Sequence, residues 1–312
     1  MDAIPLFFLL GFAARLARSD LKLPGQLYEA LSIYLLLAIG LKGGMELAKQ
    51  DPLQVLPQAL SVMGLGVVIP LVAFPLLYKL GRLDRHNAAA IAGHYGSVSV
   101  VTFAVAVDYL VARSIPYEAY LPLFLVLLEM PGIAVGILLA RMGGEMRSIK
   151  WGPLLHEIFL GKSMVLLAGG LLIGWAAGPQ GLAPLEPFFF ELFKGVLCLF
   201  LLEMGLVAAG QAGALRTSGA FLAGFAIGMP VIAAFIGTAT GLLIGLSAGG
   251  TLLLATLAAS ASYIAAPAAM RIAVPEANPG LSITAALVIT FPFNILIGIP
   301  LYDRIVGLFF GS

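Results

Sequence analysis

The chain consists almost entirely of apolar runs long enough to cross a lipid bilayer. A spanning helix needs about 20 predominantly apolar residues, and ten stretches of this 312-residue chain reach or approach that length. They lie at 3–17, 27–47, 53–80, 86–111, 118–141, 153–177, 187–211, 216–246, 250–273 and 280–310. Because backbone polar groups in lipid must be satisfied within the segment, these runs are expected to be helices. The sequence therefore predicts an all-α polytopic membrane protein with ten transmembrane helices.

Composition agrees with this class and excludes others. Hydrophobic residues make up 61% of the chain and charged residues only 11%, against about 25% charged in soluble domains. The formal net charge of +1 offers no basic field for nucleic acid. The single cysteine, Cys198, supports neither a disulfide framework nor a metal cluster.

The distribution of Lys and Arg predicts the orientation in the membrane. The loops after odd-numbered runs carry the larger set of basic residues, and the opposite side carries the smaller one. The larger set is Arg15, Arg18, Lys22, Lys79, Arg82, Arg85, Arg141, Arg147, Lys150, Lys162, Arg216 and Arg271; the smaller is Lys42, Lys49, Arg113, Lys194 and Arg304. We expect a multi-pass protein of the inner (plasma) membrane with both termini outside the cytoplasm.

Four local patterns recur in the same order, offset by about 160 residues. The pairs are 39–44 with 204–209, 69–70 with 229–230, Ser97–Ser99 with Ser260–Ser262, and Pro131 with Pro292. Coincidence in a chain rich in Gly, Ala and Pro is the alternative. Duplication predicts two five-helix repeats, 1–145 and 153–312. An odd number of spans forces the second repeat to insert upside down, as is common in secondary transporters.

Polar residues cluster in the fourth and ninth runs. The fourth contains Gly96, Ser97, Ser99 and Thr102, and the ninth contains Ser260, Ser262 and Tyr263 followed by Pro267. Gly and Pro at membrane depth are tolerated where the freed backbone groups are satisfied by neighbours or line a cavity. We therefore expect both helices to be broken at these residues.

Two broken helices that meet near the midplane can bind ions of both signs. Hydroxyls and unwound carbonyls are hard oxygen ligands for sodium, and half-helix N-termini favour an anion. The candidate sodium ligands are Ser99, Thr102, Ser260 and Ser262. The alternative is that these serines only permit close helix packing.

Ionisable and polar residues within the runs are further candidates, because burying charge in a bilayer is costly. Glu129 lies two residues before Pro131, and Asn294 two residues after Pro292. Glu129 is expected either to line the site or to be a structural carboxylate. His94 is a candidate pH sensor or a packing residue.

Three segments resemble the sodium-dependent bicarbonate transporters of cyanobacteria and their bacterial relatives. They are Gly93–Ser99 with Thr102, Ala259–Pro267, and Arg271–Pro279; the phrase Ile39–Met45 fits as well. The resemblance covers nearly the whole chain. It implies ten helices in two inverted repeats, gate and core domains each built from both repeats, a homotrimer, and an elevator-like motion. It also implies that sodium and bicarbonate bind where the fourth and ninth spans cross.

One segment departs from this family. The cytoplasmic connection between the fifth and sixth runs is reduced to about 142–152. In that family the segment lies near the docking site of a PII-like regulatory protein. The resemblance implies such a partner, and the short segment is where this chain differs from the family.

The leading functional hypothesis is sodium-coupled symport of bicarbonate or a similar small anion, with no cofactor other than the coupling ion. The alternative is a proton-coupled antiporter or a sodium-coupled organic-anion transporter on a similar fold. An enzyme is not expected, because the three histidines are scattered and His156-Glu157 lacks the second histidine of a zinc motif, with Leu160 in its place.

Overall fold

Helices account for 83% of the computed structural model, and no strand occurs among the residues it describes, which are 3–142, 151–211, 213 and 215–311. The helices are α1 (Ile4–Leu16), α2 (Gly25–Leu47), α3 (Pro52–Pro75, continued by a π-helical turn Leu76–Leu80), α4 (Arg85–Gly96), α5 (Val100–Ala112), α6 (Pro122–Glu129), α7 (Pro131–Arg141), α8 (Trp151–Leu160), α9 (Lys162–Leu182), α10 (Phe193–Gln211), α11 (Leu215–Leu243), α12 (Ala248–Ala258), α13 (Ala265–Ala273) and α14 (Pro279–Phe310, with π-helical turns at Thr284–Thr290 and Asn294–Gly298).

Eight helical segments of the described chain are long and apolar enough to cross a membrane. They are Gly25–Leu47, Leu53–Leu80, Arg85–Ala112, Pro122–Arg141, Lys162–Leu185, Phe193–Gln211, Gly219–Leu243 and Pro279–Phe310. The first predicted run contains the shorter apolar helix Ile4–Leu16, and the ninth run begins within the shorter apolar helix Ala248–Ala258. The prediction of an all-helical, multi-pass membrane protein is confirmed, with eight helices of spanning length where ten were expected.

The sixth predicted run, 153–177, does not form one continuous helix. It divides into α8 and α9 at Gly161, whose backbone is extended (φ −61°, ψ 150°). The charged residues Glu157 and Lys162 flank this break, and α8 packs against α13 as well as α9. The spanning helix therefore begins at Lys162. Hydropathy alone did not find this boundary, because apolar residues continue beyond the two charged residues on both sides.

Glycines bring the helix pair α2 and α9 into close contact. A β-carbon added to Gly44 would collide with the main chain of Leu171, and one added to Gly174 would collide with the main chain of Leu41. The pair α1 and α10 packs in the same way, through Gly11 and Gly205. Small residues permit such backbone approach between membrane helices. We call helices α1, α2, α9 and α10 the panel.

The remaining helices other than α8 form a second group, which we call the body: α3–α7 and α11–α14. Its densest contacts join α4 to α7 and α11 to α12, and α3 packs on both α4 and α7. The panel meets the body chiefly through α2 and α9 against α6 and through α10 against α14, with a smaller contact between α2 and α5. The predicted interruptions of the fourth and ninth runs both lie in the body: α4 ends at Gly96 before α5 begins at Val100, and α12 ends at Ala258 before α13 begins at Ala265.

Candidate functional site

The two interrupted helices contact each other through two main-chain amides, one from each interruption. The amide of Ser99 donates to Ser260 Oγ at 2.9 Å, and the amide of Ser262 donates to the carbonyl of His94 at 2.8 Å. Ser97 and Ser99 are extended (ψ 175° and 112°). The Ser99 amide is therefore free to bond outside its own helix, whereas the Ser99 carbonyl accepts the first helical bond of α5 from the Phe103 amide at 3.1 Å. Residues separated by about 160 positions in the chain thus satisfy each other's backbone groups, as buried backbone requires.

A cluster of hydroxyls surrounds this contact. Ser99 Oγ accepts from the amide of Thr102 at 3.2 Å and from Thr102 Oγ1 at 2.9 Å, and it donates to the Tyr263 hydroxyl at 3.3 Å. Ser260 Oγ donates to the carbonyl of Leu257 at 2.8 Å. Ser99, Thr102 and Ser260 are each at most 4% exposed. We call Ser99, Thr102, Ser260 and Tyr263 the hydroxyl cluster.

Glu129 lies beside a different serine. Its Oε2 accepts from Ser97 Oγ at 3.3 Å, and both residues are buried. Glu129 also lines a cavity of about 230 Å³ between α7, α8, α9 and α13, together with Lys162, Ser163 and Ile264. Six of the eight predicted site residues therefore fall into two neighbouring sets, the hydroxyl cluster and the Ser97–Glu129 pair.

Two of the predicted residues have a clear structural role. The Ser262 hydroxyl accepts from the amide of Ala266 at 3.1 Å, so it serves the first turn of α13. Gly96 lies against α7 and α3: a β-carbon there would be 2.6 Å from Gly132 Cα and 2.8 Å from Pro70 Cδ. Only glycine permits this approach, which positions the end of α4.

A buried polar network supports the ninth-run interruption from α14. Asn294 Nδ2 donates to the carbonyl of Ala259 at 2.8 Å, and the Tyr302 hydroxyl donates to Asn294 Oδ1 at 2.7 Å. Nearby, the Tyr95 hydroxyl and Thr290 Oγ1 are 2.6 Å apart. Asn294 was conspicuous in the sequence as an amide in an apolar run. Thr290 and Tyr302 carried no such signal, because one hydroxyl in a membrane helix is common.

His94 is buried in the last turn of α4. Its Nδ1 lies 2.8 Å from the carbonyl of Ala90, whereas Nε2 has no hydrogen-bond partner among the described residues. Because His94 is hydrogen-bonded to the preceding turn of its own helix, the structure favours a packing residue over a pH sensor.

Four half-helix ends meet at this point and set its electrostatics. The N-termini of α5 and α13 carry partial positive charge, and the C-termini of α4 and α12 carry partial negative charge. Carbonyls at the helix C-termini and the hydroxyl cluster are ligands suited to an alkali cation, whereas amides at the N-termini suit an anion. In the described part of the chain, no group of three or more His, Cys, Asp or Glu residues is placed to hold a metal ion.

Comparison with known proteins adds one finding to this geometry. No individual curated protein matches the chain. A family model does match, over residues 4–307, and therefore spans both helix interruptions and the residues around them. The chain belongs to the Na+-dependent bicarbonate transporter superfamily.

Proposed function

We propose that this protein is a secondary active transporter that couples sodium to the uptake of bicarbonate or a similar small anion. The observation that carries the proposal is the contact between the Ser99 amide and Ser260 Oγ, which joins two interrupted helices within a hydroxyl cluster. Membership of the superfamily supports sodium and bicarbonate as the transported species. A transporter family also argues against an enzyme.

The sodium ion is assigned to the hydroxyl cluster. Ser99 Oγ, Thr102 Oγ1 and Ser260 Oγ are the candidate ligands, with main-chain carbonyls of the two interruptions completing the set. Ser262 is proposed to contribute through its main chain rather than its hydroxyl, since that hydroxyl already accepts from the Ala266 amide. Binding sodium at Ser99 Oγ would require the Thr102 hydroxyl, which donates to that atom, to turn away from it; hydroxyl hydrogens rotate to suit their partners.

The anion is assigned to the N-terminal amides of α5 and α13. A bound cation a few ångströms away would offset the cost of bringing the anion into this low-dielectric environment. Glu129 would repel an anion and attract a cation, so its carboxylate is proposed to face the sodium side of the site through Ser97.

An elevator-like mechanism is proposed on the same basis. We assign the panel to the gate domain and the body to the core domain. Each domain then contains helices from both inverted repeats, 1–145 and 153–312, and the whole arrangement has ten spanning helices. Two cavities between panel and body support relative movement: the one at Glu129, and one on the other side of the crossing lined by Lys42 and Lys194.

The family resemblance also suggests a homotrimer in the inner membrane with both termini outside the cytoplasm. A PII-like regulatory protein would dock near the connection 142–152. Residues 143–150 of that connection lie outside the described part of the chain.

The second candidate is a proton-coupled antiporter or a sodium-coupled organic-anion transporter on a similar fold. The buried carboxyl of Glu129 is the observation that favours proton coupling, because an ionisable group within a span is a default functional candidate.

The test is uptake of labelled bicarbonate into proteoliposomes with and without an inward sodium gradient. We expect the sodium gradient to stimulate uptake and a Ser260→Ala variant to abolish the stimulation. Uptake driven by a proton gradient and indifferent to sodium would instead select the antiporter. An absence of bicarbonate uptake in a folded preparation would direct the search to other anions.

A further inference from the structure

A cavity of about 170 Å³ lies between the panel and the body on the side opposite to the Glu129 cavity. The C-terminal parts of α2 and α5 meet there with the N-terminal ends of α6 and α10. Its inner wall includes Phe103, which directly follows Thr102 of the hydroxyl cluster. Its mouth includes Lys42, Asp108 and Lys194. The cavity therefore extends from the exposed lysines to the buried face of α5, the helix whose first turn carries Thr102.

The charges of this cavity are unequal. Asp108 is buried and its Oδ1 lies 2.6 Å from Nζ of Lys194, whose side chain is 59% exposed. Lys42 is a second exposed lysine, and no carboxylate among the described residues forms an ion pair with it. Among the residues that line the cavity, two ammonium groups thus face one carboxylate. The nearby carboxylate of Glu46, which is close enough to act on Tyr117 of the lining, is paired with Lys49. In a narrow cleft with apolar walls such an excess concentrates anions.

We propose that this cavity is an entry site for a small carboxylate-like anion, held by Lys42 and Lys194 before it reaches the crossing. Asp108 acts in it as an internal competitor: its carboxylate occupies Lys194 until the incoming anion replaces it. A purely structural ion pair would require only one lysine, and it would not need to lie in a cavity lined by the helix whose first turn carries Thr102 of the hydroxyl cluster. The entry site rests on the proposed anion transport, but its electrostatic signature can be measured without transport.

The first experiment measures the local potential. In a Cys198→Ser background, Ala119 of the cavity wall is replaced by cysteine, and the purified protein is modified with an anionic or a cationic methanethiosulfonate reagent. Each rate is divided by the rate of the same reagent with a free thiol in solution. We expect this normalised rate to be several-fold higher for the anionic reagent than for the cationic one, and added salt to reduce the difference. Lys42→Gln should lower the ratio of the two rates, whereas Lys79→Gln should not, because Lys79 lies in the π-helical turn at the end of α3 and does not line the cavity.

The second experiment measures occupancy. Sodium bicarbonate should slow modification of the cysteine at position 119 compared with sodium chloride of the same ionic strength. Asp108→Asn should strengthen this protection and Lys194→Gln should weaken it, so the two partners of one ion pair have opposite effects. A structural pair would give effects of the same sign. Equal reagent rates, or same-sign effects in the two variants, would overturn the entry site.

The two proposals fail separately. If the anionic reagent reacts faster but bicarbonate neither protects the cysteine nor is taken up, the cavity is an anion entry site and bicarbonate is not its ligand. Normal sodium-driven uptake by Lys42→Gln with an unchanged KM and unchanged reagent ratio removes the entry site and leaves the transport function. If the transport function and the entry site are both correct, Lys42→Gln should raise the KM for bicarbonate several-fold with little change in kcat.

Discussion

Ser99 shows how one residue can serve local structure and the candidate site together. Its side chain caps α5 by accepting from the Thr102 amide, while its own amide donates to Ser260 on the facing interruption. Loss of an N-cap hydroxyl costs about 1 kcal/mol. The same hydroxyl is a candidate sodium ligand, so the cost to transport and the cost to stability must be measured separately.

Replacement of Ser99 by Ala should abolish sodium-driven uptake and lower the free energy of unfolding by about 1 kcal/mol, as expected for a lost N-cap. Transport and thermal unfolding in detergent are the two measurements. Ser61→Ala is the matched control, because Ser61 is exposed on α3 and its hydroxyl donates only to Pro57 of its own helix. Full uptake by Ser99→Ala would remove the hydroxyl from the proposed ligand set.

Replacement of Glu129 by Gln keeps the shape of the side chain and removes its charge. If the carboxylate faces the sodium side of the site, the variant should need several-fold more sodium for half-maximal uptake. Glu157→Gln is the control, since Glu157 lines the same cavity but belongs to α8. An unchanged sodium dependence in Glu129→Gln would assign Glu129 a structural role as hydrogen-bond acceptor for Ser97.

At the scale of elements, the contact between α4 and α7 determines where the first interruption lies. Gly93 and Gly96 of α4 face Gly136 and Gly132 of α7, and the backbones approach closely along this line. Helices packed through glycine cannot accept added atoms without moving apart. The position of the Ser97–Ser99 segment is therefore coupled to the small residues of a neighbouring helix.

The variant Gly132→Ala should be strongly destabilising, because its β-carbon would collide with the main chain of Gly96. Overpacking of this kind typically costs about 1–3 kcal/mol, and transport should fall with it. Gly169→Ala on α9 is the control: its β-carbon would meet nothing within 4 Å, so thermal stability should be unchanged or slightly higher. Equal stability of the two variants would mean that α4 and α7 separate without cost.

At the scale of the whole molecule, the panel and the body differ in how they are held together. Each has close internal helix contacts, whereas the ion pair between Lys194 of α10 and Asp108 of α5 joins one to the other. Of the three ion pairs found among the described residues, this one alone joins the panel to the body. Movement of the body along the panel would have to break it.

Cross-linking tests this movement. In a double variant, Asp108→Cys and Lys194→Cys, a short flexible bismaleimide should arrest sodium-driven uptake. The control pair is Tyr109→Cys and Asp303→Cys, whose native side chains are 2.8 Å apart within the body; its cross-link should leave uptake intact. Each variant is compared with itself before cross-linking. Unimpaired uptake by the cross-linked first pair would exclude an elevator motion at this boundary.

Much of the architecture could be read from the chain because lipid imposes a local rule. Every spanning segment must be apolar and helical, so hydropathy alone located the long helices. Polar residues within the apolar runs identified Ser97, Ser99, Ser260 and the interruptions around them. Proline and glycine in those runs indicated the breaks for the same reason. These inferences needed no knowledge of which helices are neighbours.

The tertiary structure decided what depends on neighbours. It divided 153–177 at Gly161, placed the Ser262 hydroxyl on the Ala266 amide, separated the Ser97–Glu129 pair from the hydroxyl cluster, and paired Asp108 with Lys194. Each of these depends on contacts between distant parts of the chain or on the local backbone path. Hydropathy reports only what each residue prefers as its surroundings, whereas a hydrogen bond or ion pair depends on the atoms that packing places within about 3 Å.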